Sequence, residues 1–255
     1  MIGYLYVSAL RDFMRPRRFF GWLILAVLLI LAARGLSEVI RVREPIYQYG
    51  QISGAIVFRI LALAAAIFST AVIGQEVEQK TITYLLTRPI ARWKVLLART
   101  LAASTVTFVV GVMMAVGASI GVPDVGPFNG VVLRDILALA VGALSYCALF
   151  TMVTLVINRA MIVCLIFAFG WEVAVPNMPG STYYLSLNSY LTAIANRPEP
   201  PQRAGPFQFL SQQMATQGVS QMTAWIVISV LTVVLLSLAA WWFTRFEFVP
   251  REDTE

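Results

Sequence analysis

The chain reads as an all-α protein that crosses a membrane several times, and three observations predict that class. Of its 255 residues 59% are hydrophobic and only 13% charged, whereas soluble domains carry about 25% charged residues. The apolar residues fall in long runs, most of them near the length a helix needs to cross a bilayer. The 19 basic and 13 acidic residues mostly flank those runs, so the net positive charge belongs to loops beside a membrane and not to one soluble face that would bind nucleic acid. The expected layout is a single domain, 1–255, with six transmembrane helices. An N-terminal interfacial amphipathic helix precedes them, a cytoplasmic hairpin joins spans two and three, and an outer re-entrant helix pair joins spans five and six.

At the N-terminus, Ile2, Leu5, Tyr6, Ala9 and Phe13 recur at helical spacing with Ser8, Arg11, Asp12 and Arg15 opposite, the pattern of a helix lying in the membrane interface. Arg15, Arg17 and Arg18 then lead into the first span, about 19–34. Basic residues before an apolar stretch also describe a signal peptide, but the Ala-x-Ala cleavage pattern is missing and the chain stays apolar far beyond. Residues 34–53 are polar and read as an outer loop, and 54–74 is the second span.

Within that span lies Arg59, a residue disfavoured by a few kcal/mol at a bilayer centre and less near its edge. It either snorkels to the outer interface or lines a substrate-facing surface. The third span, 94–120, and the fourth, 131–157, are joined by the turn-rich outer segment GVPDVGPFNG. Arg134 and Asp135 read as a solvated start to the fourth span. After a tight inner turn at Asn158 and Arg159, the fifth run, 160–176, is short for a crossing and carries Glu172 before Pro176 and Pro179. Glu172 is either a carboxylate satisfied by neighbouring backbone or Arg, or part of an outer gate.

The outer segment 177–221 places Leu185, Leu187, Leu191 and Ile194 at helical spacing, which predicts an amphipathic half-helix paired with the short fifth run. The last span is 222–243, with Trp241 and Trp242 as an interfacial belt. Counted over this layout with both termini inside, Lys and Arg favour the cytoplasmic side by about two to one, which sets the orientation.

Between spans two and three lies the hairpin 75–93. Its first half has Val77, Ile82, Leu85 and Leu86 on one side of a short helix too polar to span. Pro89 disfavours helical geometry at Arg88 and suits the first turn of a new helix, so the chain is expected to break there and restart through Arg92, Lys94 and Arg99. The residues E-V-E-Q-K-T at 76–81 and L-L-T-R-P-I-A-R at 85–92 resemble the ATP-binding-cassette type-2 permease family. Lys80 departs from that family, which usually has Gly there, while Glu76, Thr81, Pro89 and Arg92 keep their spacing.

The resemblance implies that the hairpin is a coupling helix gripped by a separate ATPase. Glu76, Glu78, Thr81, Leu85, Arg88 and Pro89 would form the coupling surface, and Arg92, Lys94 and Arg99 would anchor the hairpin. Glu76 and Glu78 could equally serve as favourable first-turn charges of the short helix, worth roughly 0.3 to 1 kcal/mol each. It further implies nucleotide-binding subunits and a second permease copy or paralogue as partners, the plasma (inner) membrane as location and export as direction. Arg59 and Glu172 are the candidate pathway or outer-gate residues.

Other chemistry is excluded or weakly supported. The chain has no His, and Cys147 and Cys164 both lie in apolar runs, so neither a His/Cys metal cluster nor a His-based catalytic triad is expected. No Gly-Lys pair exists, so no phosphate loop is present, and ATP with its Mg would be bound by the partner ATPase and not by this chain. A secondary transporter would show internal repeats and midplane charges, which the sequence does not display. The long segment 177–221 keeps open a variant in which the chain passes ATP-driven motion to an extracytoplasmic partner.

Overall fold

The computed structural model describes residues 2–14, 16–39, 45–78, 91–157, 159–175, 184–196 and 219–245. Among these there is no strand. Five helices are long and apolar enough to cross a membrane, with candidate spans Phe20–Ser37, Pro45–Val72, Arg92–Gly121, Gly130–Val156 and Gln221–Arg245. The expected sixth crossing is not among them. Its helix covers Ala160–Ala174, about 22 Å of rise against a hydrocarbon core of about 30 Å.

Helix α1 (Ile2–Phe13) lies against α5 (Arg92–Gly121). Ala9 and Phe13 are buried, and the Tyr6 hydroxyl is 2.9 Å from the hydroxyl of Thr105. The amphipathic face is thus spent on protein, while Tyr4 and Val7 remain exposed. Phe13 packs edge-on against Phe68, and Trp22 meets the same ring, which brings α1, α2 and α4 together.

Helix α2 (Pro16–Val39) touches the bundle mainly through α5, and Phe20, Leu23, Ile24, Val27, Leu28 and Leu31 stay exposed. The seam between α2 and α5 is narrow because Gly121 carries no side chain. A Cβ there would sit 2.5 Å from the Cβ of Ala33 and 2.9 Å from the Ile30 carbonyl oxygen.

The stretch read as an outer loop is largely helical. Helix α2 runs on to Val39, and α3 (Pro45–Ile52) begins at a proline, whose fixed φ and missing N–H suit a first helical turn. A π turn, Ser53–Val57, joins α3 to α4 (Phe58–Glu78) without a break. Helix α5 is followed by a turn in which Asp124 takes a positive φ of 64°, a conformation Asp tolerates better than most residues. Asn129 then caps α6 (Gly130–Val156) by accepting the Val131 N–H at 3.2 Å.

After α6 come α7 (Ala160–Ile166), a second π turn (Phe167–Trp171) and the short α8 (Glu172–Ala174). Helix α9 (Leu187–Ala195) packs on α6 and on α10 (Gln221–Arg245). The core is the α4, α5, α6 packing, sealed by small residues such as Ala65, Ala102, Ala103 and Ala143, as expected where helices approach without a hydrophobic driving force.

Candidate functional site

At the end of the bundle where α4 leaves and α5 returns, the structure describes only the two edges of the hairpin. Thr81, Leu85, Arg88 and Pro89 lie outside the described residues. Glu76 and Glu78 belong to a helix continuous from Phe58 through Glu78. The expected fresh helix start near Gln75 is therefore replaced by an extension of span two, and the argument that these acids are first-turn charges lapses. Helix α5 restarts at Arg92 after the extended residue Ala91, which accepts the Lys94 N–H at 2.9 Å.

Of the anchoring residues, Arg99 has the clearest contact. Its guanidinium donates to the Val72 carbonyl oxygen at 3.2 Å, tying the last turns of α4 to the first turns of α5. Such a charge-assisted bond is stronger than a neutral one. The Lys94 ammonium lies 5.4 Å from the centre of the Trp93 ring, and Arg92 and Lys94 are both half-buried.

A second polar centre lies deep in the bundle at Glu172, which is 5% exposed. The Ser186 hydroxyl donates to its carboxylate at 2.6 Å, the Leu187 N–H at 3.1 Å and the Asn188 N–H at 3.0 Å. The two N–H groups belong to the first turn of α9, where backbone donors are orphaned and the helix dipole favours negative charge. Glu172 is therefore a cap delivered from another part of the chain. The buried hydroxyl of Tyr146 faces the same carboxylate. Next to it, the Trp171 indole N–H donates to the Leu185 carbonyl at 3.3 Å, and Tyr190 donates to the Tyr184 carbonyl at 2.8 Å.

The depth of Glu172 follows from its neighbours on α6. Phe167 packs on Phe150, Glu172 faces Tyr146, and Leu191 lies where a Cβ on Gly142 would meet it at 2.8 Å. Read along α6, positions 150, 146 and 142 thus pair in turn with the helix Ala160–Ala174, its acid, and α9. The two short pieces lie end to end beside one long helix. Together their rise is about 36 Å. Glu172 stands at the joint, opposite the middle part of α6.

Asp135 corrects another expectation. It is fully buried and accepts a hydrogen bond from Ser53, the first residue of the π turn before α4, whereas its neighbour Arg134 is exposed. Sequence spacing alone gave no sign of this, because the partner is 82 positions away. Both π turns adjoin a buried carboxylate, Ser53 at Asp135 and Trp171 at Glu172, and π turns of this kind re-aim side chains within a helix.

Arg59 lies within one turn of the first π turn and is exposed. Leu61 and Gly142 meet where a Cβ on the latter would be 3.0 Å from Leu61, so Arg59 stands about three turns of α6 from that helix's start. The structure does not bring Arg59 to Glu172, which sits several residues further along the bundle. Among the described residues no group of His, Cys, Asp or Glu could hold a metal ion, and both cysteines are buried and unbridged.

A search of curated proteins finds no match. The family described as ABC-2 family transporter protein matches residues 6–248, a range that takes in all five long helices described above and the shorter helices between them. The chain is a multi-pass membrane component of an ABC transporter, and it belongs to the ABC-2 transporter family.

Proposed function

We propose that this chain is the permease subunit of an ABC exporter, driven by ATP hydrolysis on separate nucleotide-binding subunits that dock on the hairpin 75–93. Two copies, or one copy with a paralogue, form the pathway in the plasma (inner) membrane with both termini cytoplasmic. The observation that carries the coupling is the Arg99 bond to the Val72 carbonyl, which joins the two helices that emerge from the hairpin. A push on the hairpin then moves spans two and three together. Glu76, Glu78, Thr81, Leu85, Arg88 and Pro89 supply the docking surface, and Arg92, Lys94 and Arg99 hold it to the bundle. ATP and Mg stay on the partner.

The test is the double variant Glu76→Gln with Glu78→Gln, beside Leu85→Asp. Both are expected to insert and dimerise as the native chain does, and to lose capture of the ATPase subunit or its stimulation in reconstituted vesicles. Wild-type capture and turnover in both would remove the hairpin from the coupling path. The length of the outer segment 177–221 supports a second reading, in which the same motion is passed to an extracytoplasmic partner. Deleting residues 198–206 separates the two, since a partner-driven system loses its output while keeping assembly with the ATPase.

A further inference from the structure

We propose that Ala160–Ala174 and α9 form one jointed crossing, about 36 Å in combined rise, and that Glu172 is the positioning residue that transmits motion along it by joining its inner and outer halves. This rests on the permease reading above and adds a defined route to it. The inner half, Ala160–Ala174, and the outer half, α9, are separate helices. Across the joint the described contacts are few and polar. Three hydrogen bonds converge on one carboxylate, and one indole bond runs beside them.

A carboxylate suits this task for a physical reason. It offers only acceptors, and the first turn of α9 offers only donors, so each of its oxygens faces a donor. In a low-dielectric interior an unpaired carboxylate or an unpaired helix start is costly, so the two ends stay together as one moves. Packing alone would not do this. The inner half exposes Met161, Ile162, Val163, Ile166 and Phe169 along one side, lies against α4 and α6 on the other, and shares no broad packing face with α9. Helix α9 is held between α6 and α10, with Leu191 seated at Gly142. Displacement of the inner half therefore reaches α9 through Glu172, and α9 shifts against α6 and α10.

The experiment uses the full chain assembled with its ATPase subunit in vesicles. Ala193→Cys, half-buried on α9, reports accessibility to an impermeant maleimide, since both native cysteines are buried. In the otherwise native chain, ATP with vanadate is expected to change the labelling rate by about fivefold or more. Glu172→Gln has the same size, but its amide keeps one acceptor oxygen and sets an N–H donor where the other carboxylate oxygen met a donor. It is expected to abolish that change while the ATPase subunit is still captured.

A side chain that merely filled space would leave Gln equal to Glu. Glu172→Ala should behave as Gln does, and a short bis-maleimide bridge between Trp171→Cys and Leu185→Cys should restore the ATP-dependent change in it. If Ala fails to assemble, the Gln variant decides alone. An ATP-dependent change that survives in the Gln variant overturns the proposal, and so does a native chain in which α9 shows none. A native chain that captures no ATPase subunit overturns the permease reading and this one with it.

Discussion

Arg99 and Asp135 each reach a neighbouring helix through a polar contact, and their removal tests how much such contacts contribute inside a membrane. Arg99→Ala leaves the Val72 carbonyl to its own helix and removes a charge-assisted bond between α4 and α5. The expected cost is about 1 to 2 kcal/mol in a detergent unfolding titration, with Arg99→Lys recovering part of it. Asp135→Ala removes the carboxylate that accepts from the Ser53 hydroxyl at the π turn. A double-mutant cycle of Asp135→Ala with Ser53→Ala should return a coupling of about 0.5 to 2 kcal/mol. A coupling near zero would show that other donors, and not Ser53, satisfy Asp135.

Between elements, two glycines set how closely helices pack, and they should respond differently to the same substitution. At Gly142 an added Cβ meets only the flexible ends of Leu191 and Leu61, which can turn aside. At Gly121 it meets the Ile30 carbonyl oxygen and the Cβ of Ala33, which can move only with the backbone. Gly121→Ala should therefore lower the thermal midpoint more than Gly142→Ala, by the overpacking cost of about 1 to 3 kcal/mol. Equal effects would mean that α2 shifts as easily as a leucine side chain.

Much at this scale was legible in the sequence. Long apolar runs found five spans, and the short fifth run with Leu187, Leu191 and Ile194 pointed to a half-helix. What pattern could not supply was partnership. Glu172 was visible as an acid in a short span, with capping by backbone among its readings, but its depth depended on Gly142 and Tyr146. Asp135 looked like an ordinary helix-start acid, because nothing near it in sequence marks Ser53 as its donor. The loop expected at 34–53 failed because polar composition outweighed Pro45, which starts a helix as readily as it ends one.

For the whole molecule, orientation is the property most open to measurement. Gly126→Cys lies in the exposed turn between α5 and α6 and is expected outside, while Thr83→Cys in the hairpin is expected inside. Labelling of intact cells with an impermeant thiol reagent should mark position 126 and spare position 83. The reverse pattern would invert the topology and place the hairpin where no cytoplasmic ATPase could reach it.

The seam at Gly121 bears on how the protein is made. Helix α2 is made before α5, and the glycine against which Ala33 and Ile30 close sits at the far end of α5. Until the ribosome has released that end, the face of α2 that closes on α5 stays uncovered, open to insertase or chaperone handling. A Gly121→Ala chain should thus show its first defect as prolonged exposure of the nascent first span to membrane quality control, before any folded subunit exists to be destabilised.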